Sequence, residues 1–285
     1  MQNIANPKKI EFNAGSNPHE GVITVEPLFP GYGMTLGNSL RRVLLSSLPG
    51  AAVIGVKIKG ASHEFMALSH IKEDVLEMIL NLKQLRLKFF SEEEVRLELK
   101  VKGKKAVTAG DIVKNSNVEI KNPDLVLAHI TDEAGSLEME IFAREGRGYK
   151  MTEGAKKENR EIGYIEIDSI FSPVVLVSIN IENTRVGKMT NWDKLILNVK
   201  TDGTMTPQEA FTGAVKILVE QFDSLLALSS GEALPAEIAA ESTEEATAEL
   251  EETVDDRTTT EDSHEDKEAK KAKKEKKEVK KKTKK

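Results

Sequence analysis

Three groups of residues in this sequence have types and spacings that could do chemistry. Gly31, Gly33 and Gly37 lie between a strand-like run, Val22 to Leu28, and a helix-like one. A glycine turn at such a junction can lay backbone N–H groups and the positive end of a helix against a phosphate. Here the Gly-x-Gly-x-x-x-Gly spacing is one residue longer than the dinucleotide-binding pattern. The next strand-like run, Val53 to Ile58, is flanked by Lys57 and Lys59 instead of the acid a ribose would need. No lysine follows the third glycine, as a phosphate loop requires. His63-Glu64 opens like a zinc-protease helix, but Ala67 stands where the second histidine must be, and His19, His70, His129 and His264 are scattered. Glu73-Asp74 is a pair of adjacent carboxylates with no other catalytic group beside it, and it reads as support for a helix.

The remaining classes are removed by what is missing. With no cysteine there is no disulfide, thiolate metal site or thiol nucleophile. No Gly-x-Ser-x-Gly elbow occurs. The expectation is a chain with no catalytic residue, no metal and no cofactor. Trp192, the sole tryptophan, reads as a packing anchor before a strand. Met1 to Phe12 is polar, and no run reaches the roughly 18 apolar residues that a membrane span needs. A soluble, cytoplasmic protein is expected.

The element that the rest of the chain is organised around is Gly31 to Gly50. A helix is expected from near Thr35 until Pro49-Gly50 stops it. Leu36, Leu40, Val43, Leu44 and Ser47 fall on one side, expected to be buried, and Arg41, Arg42 and Leu45 on another, available to be gripped. Small Gly37 and Ser39 would let a second backbone approach. Ala51 to Lys59 alternates like a strand with one wet face, and Ser69 to Leu82 has helical spacing with Glu73 and Asp74 in its first turn. Leu85 to Phe89, Val95 to Val101, Val118 to Ile120, Leu125 to Ile130 and Leu137 to Phe142 are short strands. Arg144 to Glu158 breaks the pattern and reads either as a surface loop or as a partner-binding loop.

Strands resume at Ile162 to Ile167, Val174 to Ile181 and Leu195 to Val199. Thr206-Pro207-Gln208-Glu209 then has the form of a capping box with proline at the first helical position. In the helix that follows, Phe211, Val215, Leu218, Phe222 and Leu225 form an apolar stripe, widened by Ala210, Ala214, Ile217 and Leu228. That much apolar circumference implies burial on more than one side, hence a domain contact plus a subunit contact.

Beyond Gly231 the composition changes. Glu232 to Asp266 holds fourteen acidic residues against one basic residue, Arg257, and Lys267 to Lys285 holds twelve lysines against three glutamates. Such a segment has too little apolar surface to offset its ordering entropy and is expected to be disordered. The formal net charge of −6 is thus carried mostly by the tail, and the near-neutral body does not advertise nucleic acid. The lysine run reads as a solvated solubility tail or as a weak, nonspecific contact with nucleic acid through charge alone.

Taken together, Leu28 to Gly50 resembles the first helix region of bacterial RNA polymerase alpha subunits. The likeness continues through His63-Glu64-Phe65, Glu73 to Glu77, Leu80 to Lys83, Val107-Thr108-Ala109, Gly146 to Tyr149, Tyr164 to Pro173, Asp193-Lys194-Leu195, Asp202-Gly203-Thr204 and the last helix, about Pro18 to Leu228 in all. The resemblance implies an α+β architecture, with residues 1–50 and 174–231 as a discontinuous dimerisation subdomain of helices on antiparallel strands. Residues 51–173 would be a β-rich insertion and 232–285 a charged tail. It implies a homodimeric scaffold for assembling the beta and beta-prime subunits of a nucleotidyltransferase whose active site lies outside this chain. Large-subunit contacts fall on Arg42, Leu45, Lys83, Phe171, Ser172, Pro173 and Arg185. Leu36, Leu40 and Leu44, with Phe211, Leu218 and Phe222, are the candidates for the dimer contact. The family's small C-terminal promoter-binding domain has no counterpart in Glu232 to Lys285.

Overall fold

Alternation and capping divide the chain into strands and three α-helices, described by the computed structural model for residues 4–15, 17–91, 93–152 and 163–230. The tail expectation for 232–285, Ile162 and the loop residues 153–158 lie outside them. In chain order the elements are β1 (Lys9–Ala14), β2 (Glu20–Leu28), α1 (Tyr32–Ser46), β3 (Pro49–Ile58), α2 (Val75–Leu82), β4 (Leu87–Phe89), β5 (Val95–Lys102), β6 (Ala106–Thr108), β7 (Val118–Ile120) and β8 (Val126–His129). They continue as β9 (Ser136–Arg147), β10 (Tyr149–Lys150), β11 (Tyr164–Glu166), β12 (Ser169–Ile170), β13 (Val174–Val186), β14 (Met189–Thr201) and α3 (Pro207–Ser230). The architecture is α+β, and every strand pair is antiparallel.

The first and last parts of the chain share one sheet, in the order β1-β2-β14-β13. Ile23, Val25, Leu195, Leu197 and Val199 from this sheet pack with Leu40, Leu44 and Leu48 and with Ala210, Phe211 and Ala214 in one core. The middle of the chain builds a second four-stranded sheet, β11-β3-β9-β5, with the two-stranded ribbons β4-β7 and β6-β8. Its core gathers Val56, Ile58, Val75, Met78, Leu82, Leu99, Leu127 and Ile141. Strand β5 shows why the pattern was readable: Val95, Leu97, Leu99 and Val101 are buried, while Arg96, Lys100 and Lys102 are exposed. On its wet face Arg96 pairs with Glu140, Lys59 meets Glu138 at 3.0 Å and Lys100 meets Glu98 at 2.6 Å. Solvent screens such exposed pairs, so their main effect is to keep the face of this edge strand charged.

Three expectations change here. Helix α2 begins at Val75 instead of Ser69, because Asp74 caps it, its carboxylate accepting the Glu77 N–H at 2.7 Å. Glu73 lies outside the helix and clamps strand β8, accepting the His129 backbone N–H and meeting its Nδ1, both at 2.6 Å. The Gly146 to Tyr149 run is not a loop: it ends β9, where Gly146 pairs with Gly50, and begins β10.

Candidate functional site

Helix α1 starts on a built-in anion. Gly31 adopts a left-handed φ of 89° and no side chain caps the helix locally, nor is there an acidic residue in its first turn. The carboxylate of Asp193, on β14, takes that place: its Oδ2 accepts the Gly31 N–H at 2.9 Å and the Gly33 N–H at 3.0 Å. The donors that a nucleotide phosphate would use are therefore satisfied by the chain itself, which is the physical reason the glycine turn is not a phosphate site. Sequence reasoning missed Asp193. Its signals are an acid in the Trp192-Asp193 step before an apolar strand and a place in the Asp193-Lys194-Leu195 run of the family likeness, neither of which names its role. Trp192 packs edge-on to Phe29 with ring centroids 5.9 Å apart, in line with its reading as an anchor.

The same close approach decides which face of α1 is buried. A Cβ on Gly37 would lie 3.0 Å from Leu195 Cδ1 and 3.1 Å from Ile179 Cγ2, and one on Gly33 would lie 2.9 Å from the Asp193 carboxylate. Gly33, Gly37, Leu40 and Leu44 form the buried ridge. The expected ridge is rotated accordingly: Leu36 is 37% exposed, while Leu44 is fully enclosed. Ser39 does not serve a close approach, since its hydroxyl donates to the Thr35 carbonyl in its own helix at 2.9 Å. Met34, Leu36 and Arg41 are exposed on the flanks of that ridge and Arg42 on the side opposite it, and Leu45 is half-buried.

Helix α3 opens with the expected capping box. Glu209 accepts the Thr206 N–H at 2.8 Å and Thr206 accepts the Glu209 N–H at 3.2 Å. Ala210, Phe211 and Ala214 turn into the core, with Phe211 edge-on to Phe12 at 5.8 Å. The chain divides into two units after Glu220, and in the second, which opens with the end of this helix, Phe222, Leu225, Leu226 and Leu228 are 61–67% exposed. Of the residues expected across a dimer, Leu40, Leu44 and Phe211 are enclosed by their own chain, whereas Leu36, half-buried Leu218 and Phe222 present surface.

The residues expected to meet larger partners separate in the same way. Lys83 is exposed at the end of α2 and lies 3.8 Å from Asp168. Arg185 is exposed near the β13–β14 turn, its Nε donating to the Gly187 carbonyl at 2.8 Å. Phe171 is only 3% exposed and clusters with Ala52, Ile54 and Phe142. Its ring rests on Gly146, where a Cβ would come within 3.0 Å, and Arg144 stands 5.9 Å from its centroid. Pro173 is buried beside it, and the half-buried Ser172 hydroxyl donates to the Val174 carbonyl at 3.2 Å. Phe171 and Pro173 thus lie where the chain returns from the middle strands to β13 of the first sheet; their side chains are used internally. Among the described residues no His/Asp/Glu group could hold a metal ion, and no helix is long and apolar enough to cross a membrane.

Comparison with known proteins adds to this geometry. A family model described as the RNA polymerase Rpb3/RpoA insert domain matches residues 56–172, the stretch that holds most of the second sheet. The chain is similar to the DNA-directed RNA polymerase subunit alpha of Oceanobacillus iheyensis, with 48% identity over 245 residues, covering 86% of this chain and 77% of that one.

Proposed function

The chain belongs to the bacterial RNA polymerase alpha-subunit family, and from that premise we propose that two copies form the cytoplasmic scaffold on which the beta and beta-prime subunits assemble. The observation that carries the dimer is α3. A solvent-facing helix end with four large apolar side chains 61–67% exposed is under-used by one chain. Burying each such side chain contributes about 1.5–3 kcal/mol, and a second copy supplies the cover. Leu36, Leu218 and Phe222 are the proposed dimer contacts, while Leu40, Leu44 and Phe211 support them from the core. A body that sediments as a monomer at micromolar concentration would refute this reading.

For the large subunits, Arg42 and Leu45 on α1, Lys83 and Arg185 are the proposed direct contacts, with Phe171, Ser172 and Pro173 acting from beneath. Arg42 is exposed on the side of α1 opposite its buried ridge. Arg42→Ala should weaken capture of a large subunit by roughly tenfold, as loss of an arginine anchor does. The dimer should survive, as read by sedimentation with and without beta. Loss of the dimer instead would place Arg42 on the wrong face.

The Lys267 to Lys285 run is proposed as a nonspecific phosphate contact alongside the assembled enzyme. DNA retention by the full chain should fall steeply with salt and vanish when Lys267 to Lys285 are deleted. Retention untouched by the deletion would assign the run to solubility.

A further inference from the structure

Asp168, between β11 and β12, joins the end of α2 to β10 and the residues just after it. Its Oδ1 accepts the Thr152 backbone N–H at 2.9 Å and the Thr152 hydroxyl at 3.0 Å. Its Oδ2 lies 3.8 Å from Lys83 Nζ at the end of α2, and the Tyr149 side chain on β10 hydrogen-bonds to the same carboxylate. The Thr152 N–H first, then the Thr152 hydroxyl, with smaller contributions from Lys83 and Tyr149, holds this carboxyl below the usual carboxylate range, so it is ionised throughout the neutral range.

What this carboxylate organises is an exposed surface. Tyr149 and Ile170 face each other across the β10–β12 pair and are 55% and 58% exposed, and Met151 is 60% exposed. Leu80, one turn before Lys83 on α2, is exposed as well. A lysine ammonium and a tyrosine ring fixed among apolar side chains have the make-up of an interface anchor: aromatic and charged groups held in place, with apolar neighbours that exclude water. Holding Lys83 and Tyr149 in advance also removes the rotamer entropy that they would otherwise lose on binding. Because Asp168 already balances the Lys83 charge, the patch suits an apolar partner segment better than an acidic one.

We propose that Asp168 is a positioning residue for assembly: it presents Lys83 and Tyr149, with Met151 and Ile170, as one patch that docks an apolar segment of a large polymerase subunit. The inference rests on the scaffold reading above. Asp168 itself touches no partner. It sets where Lys83 and Tyr149 stand when the partner arrives.

The test uses the full chain, titrated against purified beta and beta-prime subunits in turn. Asp168→Ala should weaken capture of one of them by about tenfold, the scale of an interface anchor. Asp168→Asn, whose amide oxygen still accepts from Thr152 and Tyr149, should retain part of the affinity and the native melting temperature. The Asp168→Ala, Lys83→Ala double variant should be no worse than the more affected single, because the two residues act as a unit. Unchanged capture by Asp168→Ala, purely additive losses, or loss of the dimer would each overturn the proposal. Arg42→Ala, run in parallel, separates the readings. If it weakens capture while Asp168→Ala does not, only the positioning role fails; if neither variant weakens capture, the scaffold reading fails with it.

Discussion

Phe171→Ala should lower the melting temperature by on the order of 10 °C and weaken large-subunit capture, although the ring is buried within its own chain. The first part follows from packing. The ring is 3% exposed and lies against Gly146, Ala52 and Ile54, and its backbone N–H donates to the Gly148 carbonyl at 2.9 Å. Truncating a buried phenylalanine costs about 3–5 kcal/mol, and in a domain of this size each kcal/mol shifts the melting temperature by about 2–4 °C. The second part follows from position. Gly50 begins the run into the second sheet and Phe171 ends it, and the two backbones cross so closely that a Cβ on Gly50 would overlap the Phe171 carbonyl. With Phe171 fixing that crossing, its loss lets Lys83 at the end of α2 and Arg42 on α1 drift relative to each other, and under the proposed assembly a partner that grips both would lose affinity. Calorimetry and a beta titration on the same variant check both halves. A melting shift below a few degrees would show that the ring does not hold the crossing. Gly50→Ala should be more severe still, since there the obstacle is backbone and cannot rotate away.

The same pair of residues shows how far the sequence could be read. The alternation in β5 and the Thr206-Glu209 capping box depend on neighbours a few residues away, and local spacing reveals them. The buried face of α1 does not depend on such neighbours. A reading of apolar stripes gives weight to Leu36 and treats Gly33 and Gly37 as gaps. The helix instead lies so close to Ile179 and Leu195 that the missing Cβ atoms are its contact surface. Likewise Ser69 to Asp74 has helical spacing, but the segment is tied to residues around β8 by long-range bonds: Lys72 N–H to the His129 carbonyl at 3.0 Å, Thr131 N–H to the His70 carbonyl at 2.9 Å, and Glu73 to His129. The glycines of Gly146-Arg147-Gly148 look like loop punctuation, yet the first exists to seat the Phe171 ring in the middle of paired strands. Asp168 and Asp193 lie within runs of the family likeness that name no role for them, and their roles exist only once backbone donors from elsewhere in the chain are brought to them. In each case the deciding partner lies beyond the reach of local spacing, from 16 residues away for Asp168 and Thr152 to 160 for Asp193 and Gly33.

Asp193→Ala is expected to destabilise the first sheet and its helices by about 2–5 kcal/mol, because two hydrogen bonds to a charged acceptor, at about 1.5–3 kcal/mol each, disappear and the Gly33 donor is left buried. The loss is larger than that of an ordinary helix cap, at about 1 kcal/mol, because α1 has no capping side chain and no acidic residue in its first turn to take over. Asp193→Asn should fall between, since an amide oxygen accepts the same two N–H groups without the charge that complements the helix dipole. One further consequence distinguishes an anion site from simple packing. With the carboxylate gone, the Gly31 and Gly33 N–H groups at the end of α1 are open to a solution anion, so phosphate or sulfate should raise the melting temperature of Asp193→Ala more than that of the native chain. A variant that melts within about 2 °C of the native protein, or gains nothing from phosphate, would show that Asp193 is not what seats α1. If the expectation holds, the glycine turn that first suggests a nucleotide is an anion site turned inward. Its ligand is a side chain of the β13–β14 hairpin, and that bond fixes the angle at which α1 would offer Arg42 to the proposed partner.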